Sequence, residues 1–179
     1  MTWDMQVIEW IYEGVQGTVL NPFMVAISRL GDGGVLWISI GLILIFIPKH
    51  RKTAILMFIS LALGYLIGDL LIKNLIQRPR PFMVNPALKL LISPPVSYSF
   101  PSGHTVSSFA SAVVLARRAS KRFYGLFWLL IAFVMGISRV YLSVHYPTDV
   151  FAGMILGSLV ACFVLWLEKN QGKIVRKEK

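Results

Sequence analysis

Charged side chains are scarce in this 179-residue chain: 15% of positions carry Asp, Glu, Lys or Arg, against roughly a quarter in an ordinary soluble domain. Carboxylates are scarcer still, eight against eighteen Lys and Arg, giving a formal net charge of +10. Cysteine occurs once, at Cys162 inside an apolar run. One thiol excludes an intrachain disulfide and a Cys-based zinc site, and reads as a small core or lipid-facing residue. Residues 1–28 contain no Lys or Arg, so the basic start of a secretory signal is missing. There is no sequence repeat and no low-complexity tract. What fills the chain instead is apolar: 56% of residues are hydrophobic and mean hydropathy is +0.68. A soluble fold this small exposes too much surface to hide that much apolar side chain. Disordered, fibrous and ordinary cytosolic proteins are excluded, and an all-α integral membrane bundle is expected.

Trp3, Val7, Trp10, Ile11 and Val15 recur at helical spacing near Asp4, Glu9 and Glu13. This pattern predicts an amphipathic helix lying at the interface, with Trp at headgroup depth. A short segment, 21–30, follows, and Gly31-Asp32-Gly33-Gly34 breaks the chain. Five apolar segments come next, over 35–47, 53–72, 102–116, 123–142 and 150–167. A full span needs about 20 apolar residues, so the first and third are short unless their polar ends dip below the headgroups. The expected architecture is five to six transmembrane helices plus an N-terminal interfacial helix. Residues 1–30 form the interfacial segment, 31–168 the transmembrane domain and 169–179 a basic cytoplasmic tail. Gly64/Gly68 and Gly153/Gly157 are small-residue pairs suited to close helix packing.

Twelve of the eighteen basic residues sit at alternate ends of the five segments: Lys49/Arg51/Lys52, Arg117/Arg118/Lys121/Arg122 and the tail from Lys169. That bias places those ends, and the C-terminus, in the cytoplasm. It also decides between partners for the net positive charge: anionic lipid, with no nucleic acid. Arg29, Lys73, Arg78, Arg80, Lys89 and Arg139 fall on the outer side, against the rule.

Three outward stretches collect the chemistry: Lys73-x6-Arg80-Pro81, Pro101-Ser102-Gly103-His104 and Ser138-Arg139-x5-His145-x3-Asp149. A cation beside an apolar span costs several kcal/mol unless it has a partner or a job. Arg forks and a Lys point charge suit a polyoxygen anion. Ser102 and Gly103 open a helix, whose free backbone N–H groups add to a phosphate cradle. His104 and His145 turn a binding site into a reactive one, since a neutral imidazole attacks phosphorus and an imidazolium protonates the departing oxygen. Asp149 can accept the His145 N–H and fix its tautomer. Asp69, one turn before Lys73, reads as its structural ion pair. Arg78 and Lys89 read as loop cations, and Tyr141 and Tyr146 as interface anchors.

These three blocks, in this order at the ends of membrane segments, resemble the type 2 phosphatidic acid phosphatase (PAP2) superfamily, in particular its bacterial membrane lipid phosphatases. The resemblance spans about residues 30–165. It implies that His145 is the nucleophile that becomes phosphohistidine, that Asp149 orients it, and that His104 is acid and then base. It implies that Lys73, Arg80, Arg139, Ser102 and Gly103 bind the phosphate. No cofactor and no metal are expected, because three fixed cations supply the charge that Mg²⁺ supplies elsewhere and Asp149 stands apart from other carboxylates.

The expected function is hydrolysis of a phosphomonoester or diphosphate of a membrane lipid on the extracytoplasmic face of the cell membrane. Undecaprenyl diphosphate leads by analogy, followed by phosphatidylglycerophosphate and phosphatidate. A reading of another class is a lipid-phosphate transporter that binds without hydrolysis. A third is a vanadate haloperoxidase, which the membrane segments disfavour.

Overall fold

The computed structural model describes residues 2–17 and 19–177, with side chains described as far as residue 170. Every regular element among them is helical: α1 (Trp3–Gly14), α2 (Leu20–Gly31), α3 (Val35–Phe46), α4 (Arg51–Gly64), α5 (Lys73–Ile76), α6 (Pro81–Val84), α7 (Gly103–Arg118), α8 (Arg122–Tyr141) and α9 (Pro147–Lys177). Among the described residues, four stretches are long and apolar enough to cross a membrane: Leu20–Phe46, Pro48–Val84, Arg122–Tyr141 and Pro147–Asn170. The expected tail lies partly outside the described residues, and α9 runs on to Lys177.

The fold is organised around α7. Thr105, Val106, Ser108, Phe109, Ala110, Ala112, Val114 and Leu115 are all buried, enclosed by α3, α4, α8 and α9. A helix shielded from lipid by its neighbours needs no apolar surface of its own. This is why its sixteen residues include Ser107, Ser108 and Ser111 and look too short and polar for a span. Trp37 on α3 is fully buried and donates its indole N–H to Ser108 Oγ at 3.0 Å. The outer surface is apolar instead: Ile43, Phe46, Phe123, Phe151, Leu159 and Trp166 are exposed, as lipid-facing side chains must be.

Close approach to α7 depends on the two glycine pairs. A Cβ on Gly64 would lie 3.0 Å from Val106 Cγ1, and one on Gly157 would lie 2.4 Å from the Val106 carbonyl oxygen. At the far end from the candidate site, Glu168 on α9 pairs with both Lys52 and Arg118. The three basic clusters therefore gather at one end of the bundle, and the chemistry-bearing stretches at the other.

Three local features position the site. First, the α4 helix widens into π-helical winding over Tyr65–Ile72 and resumes as α5 through Ile76, past the Lys73 boundary expected from the hydrophobic pattern. It stops at Gln77, whose left-handed φ of 49° lets its N–H cap the Lys73 carbonyl. Second, α8 ends in a Schellman motif. Ser143 takes φ 57°, Val144 N–H returns to the Arg139 carbonyl, and Ser143 N–H bonds the Val140 carbonyl. The His145 N–H also reaches the Arg139 carbonyl, so the five-residue spacer folds His145 back beside Arg139. Third, Pro147 opens α9 with φ preset for a first helical turn. The Asp149 carbonyl then accepts the Ser102 N–H at 3.1 Å, fastening the starts of α7 and α9 together.

Candidate active site

Lys73, Arg80, Gly103, His104, Arg139 and His145 line one cavity of about 540 Å³. Three cations and two imidazoles from three separated sequence blocks thus converge, as their spacing predicts. The opposite wall is apolar, formed by Ile38, Phe58, Leu61, Ala62 and Val106 between α3, α4 and α7. A polar floor below an apolar wall fits a ligand with a charged head and a hydrocarbon body.

Each cation is buried and held. Lys73 donates to Asp69, the i, i+4 pair expected from the sequence, and Asp69 in turn lies against Gly103, where a Cβ would sit 2.8 Å from its Oδ1. Arg80 spends its fork on loop carbonyls: Nε on Ser97 O (2.7 Å), Nη1 on Val144 O (2.8 Å) and Nη2 on Tyr98 O (3.2 Å). Arg139 reaches Ser28 Oγ through Nη1, while its buried Nε has no hydrogen-bond partner among the described residues. An unpaired buried N–H is costly, so Arg139 is held here at the expense of one unmet donor.

His145 is fully enclosed. Its Nε2 lies 3.1 Å from Arg80 Nη1. Guanidinium only donates, so this nitrogen carries the lone pair and the proton sits on Nδ1. Nδ1 faces Asp149 Oδ2 at 3.6 Å, an ion-pair distance rather than a hydrogen bond. Burial, helped by the positive Arg80 and Arg139 and opposed by Asp149, holds the His145 imidazole well below its ordinary range. A neutral imidazole, here with its lone pair toward Arg80, is the form in which histidine can act as a nucleophile.

Asp149 is clamped from three sides. Oδ2 accepts from the Ser99 hydroxyl and from Tyr146 N–H (2.9 Å), and Oδ1 accepts from Arg78 Nη1. Arg78 corrects the reading of a loose loop cation. It also bonds Thr148 Oγ1 and Asp4 Oδ2, and its guanidinium lies 3.8 Å over the Tyr146 ring. Tyr146 is therefore buried under Arg78 and Tyr141 is buried with its hydroxyl on Asn21 Oδ1 at 2.6 Å; neither is an interface anchor. The contacts of Asp4, Ser28, Ser99 and Arg78 escaped the sequence reading because their partners are 50 to 144 positions away and no local spacing announces them.

One further correction concerns Ser102. Its amide, expected free, is bonded to the Asp149 carbonyl, and its hydroxyl accepts from Thr105 Oγ1 at 3.0 Å. Ser102 therefore braces the site from behind the cavity, and the open donors at the start of α7 are the Gly103 and His104 amides.

The fold and site together define a helical membrane protein with three buried cations and two imidazoles around one cavity at one end. Comparison with known proteins narrows this. The family model of the PAP2 superfamily matches residues 53–173, and the chain belongs to that superfamily. It is 34% identical over 156 residues to an undecaprenyl-diphosphatase of Sulfolobus acidocaldarius, covering 87% of this chain and 74% of that protein. It is 33% identical to the bacitracin transport permease protein BcrC of Bacillus licheniformis, with 86% and 74% covered. Among solved structures, LpxE of Aquifex aeolicus superposes with a TM-score of 0.80 at 26% identity, over 92% of this chain and 96% of that one.

Proposed function

We propose that the protein is a metal-independent lipid phosphatase working through a phosphohistidine, with undecaprenyl diphosphate as its leading substrate. The observation that carries this reading is the convergence of Lys73, Arg80, Arg139, His104 and His145 on one cavity that has an apolar wall. The name of the Sulfolobus relative supports the diphosphate substrate. Orientation follows the basic clusters: the tail from Lys169 is cytoplasmic, the bundle carries the site outward, and α1 lies at the outer interface ahead of the 20–46 stretch that can cross.

The terminal phosphate enters the cradle with its oxygens on Lys73, Arg80, Arg139 and the amides at the start of α7. Arg80 turns from His145 Nε2 to the phosphate, freeing the lone pair. In the free protein, burial and then the charge of Arg139 lower the His104 imidazole to about 4 against the pull of Asp32, so His104 takes up its proton as the phosphate anion enters beside it. Nε2 of His145 then forms a bond to phosphorus as the bond to the leaving oxygen breaks, and His104 gives that oxygen the proton. Asp149 steadies the positive charge that develops on His145. Water next attacks the phosphohistidine while His104 takes its proton; the N–P bond breaks, inorganic phosphate leaves and His145 is neutral again. The charge stabilisation is supplied throughout by fixed cations.

The test is phosphate release by purified protein from a panel of diphosphate and monophosphate lipids with EDTA present. Release is expected, with His145→Ala abolishing it and leaving lipid binding largely intact. Binding without release by the intact protein identifies a carrier instead, and release that requires added Mg²⁺ removes metal independence.

A further inference from the structure

The mechanism asks His104 to hold a proton inside a cradle that already contains three cations, and nothing in the cradle itself supplies negative charge to that ring. The negative charge comes from outside the three blocks. Asp32, in the turn between α2 and α3, places Oδ1 2.9 Å from His104 Nε2.

The turn is built for this contact. Gly33 and Gly34 both take positive φ, 58° and 73°, a conformation open to glycine that reverses the backbone after Asp32. Gly31 lets the ring in: a Cβ there would lie 2.6 Å from His104 Cδ2 and 2.7 Å from Met135 Sδ. Both an absent side chain and a present carboxylate are therefore aimed at one imidazole. A second cavity of about 280 Å³, lined by Arg29, Asp32, Ser93 and Arg139, reaches the pair from the far side.

We propose that Asp32 is the positioning residue of His104, so that each imidazole of the site has its own carboxylate, Asp149 for His145 and Asp32 for His104. The pairing has a defined chemical consequence. With Nε2–H donated to Asp32, the proton exchanged with the leaving oxygen, and later with water, is the one on Nδ1. Asp32 never touches phosphate. It fixes the ring, selects the nitrogen and balances the fourth positive charge.

This inference rests on the phosphatase reading, and the experiment separates the two. General acid help matters in proportion to how poor the leaving group is. Purified Asp32→Asn is assayed for kcat/KM on an alkyl phosphate and on p-nitrophenyl phosphate, whose leaving group needs little protonation. We expect a loss of about 10-fold or more on the alkyl ester, a part of the roughly 10²–10⁴ that positioned proton transfer contributes, and a clearly smaller loss on the aryl ester. Gly31→Ala, which pushes the ring from its seat, is expected to reproduce that leaving-group dependence. On a His104→Ala background Asp32→Asn is expected to cost nothing further, because it acts only through His104. Equal losses on both esters, or an undiminished loss without His104, overturn the proposal while leaving phosphatase activity standing. Absence of phosphate release from the intact protein overturns both readings. Asp32 is exposed at 63% of its side chain, so folding of the Asn variant, checked by thermal unfolding, is expected to match the parent.

Discussion

At the residue scale the central object is a buried base. His145 is enclosed by protein, with Arg80 and Arg139 near it, and each of these disfavours its protonated form; Asp149 pulls the other way. The balance favours the neutral ring, which places the proton on Nδ1 toward Asp149 and the lone pair on Nε2. The sign of the pH effect follows. A depressed imidazole stays neutral as pH falls through its ordinary value of about 6.5, so the nucleophile is not lost in mild acid. In ¹⁵N-histidine NMR of the detergent-solubilised protein, the His145 pair of resonances is expected to show the neutral Nδ1–H tautomer at pH 5.5, where an ordinary exposed histidine is protonated. An imidazolium signature at that pH contradicts the burial argument.

At the element scale, α1 is part of the site's support. Asp4 on α1 is buried and bonds Arg78, the Thr148 N–H and the Thr148 hydroxyl, and Arg78 carries the connection on to Asp149. An acidic residue expected on the polar face of an interfacial helix is thus the outermost link of a chain ending at the His145 partner. Loss of Arg78 leaves Asp149 short of its strongest donor. Arg78→Gln is expected to lower kcat by about 10-fold, matching an interaction of about 1.4 kcal/mol, with KM little changed because Arg78 does not line the cavity. Asp4→Asn is expected to cost less, and the double variant no more than Arg78→Gln alone. A large rise in KM instead would place Arg78 on the substrate.

The same elements show what a sequence discloses. The Lys73, Arg80, His104, Arg139, His145 and Asp149 set was legible because each block sits at a helix end, where residue spacing converts directly into direction. The Schellman turn at Ser143 and the Pro147 start turn the x5 and x3 spacers into geometry of the kind the spacing implied. Arg78, Asp4, Asp32 and Ser28 were not legible, because their roles depend on which helices become neighbours. The start of α7 misled for a related reason: Ser102 does open a helix, but α9 begins beside it and takes its amide. Tyr141 and Tyr146 misled because a ring near a membrane boundary has the same composition whether it faces headgroups or an arginine.

At the scale of the whole molecule, the bundle has two chemically distinct ends. Glu168 gathers Lys52 and Arg118 at one, and the cradle occupies the other. A cation left in the cytoplasm costs little, while moving a basic cluster across the bilayer is strongly disfavoured during insertion. The cluster-rich end is therefore expected inside, and the cavity outside, where it meets lipids of the outer leaflet. The chain's one cysteine makes this directly measurable. In a Cys162→Ser background, Val96→Cys, at a fully exposed position of the loop that follows α6, is expected to react with a membrane-impermeant maleimide on intact cells. Lys121→Cys, in the turn between α7 and α8, is expected to react only after permeabilisation. The reverse pattern turns the protein over. It would confine the phosphatase to cytoplasmic-leaflet lipids and remove the reason for preferring an outward-facing diphosphate, while leaving the chemistry of the cavity unchanged.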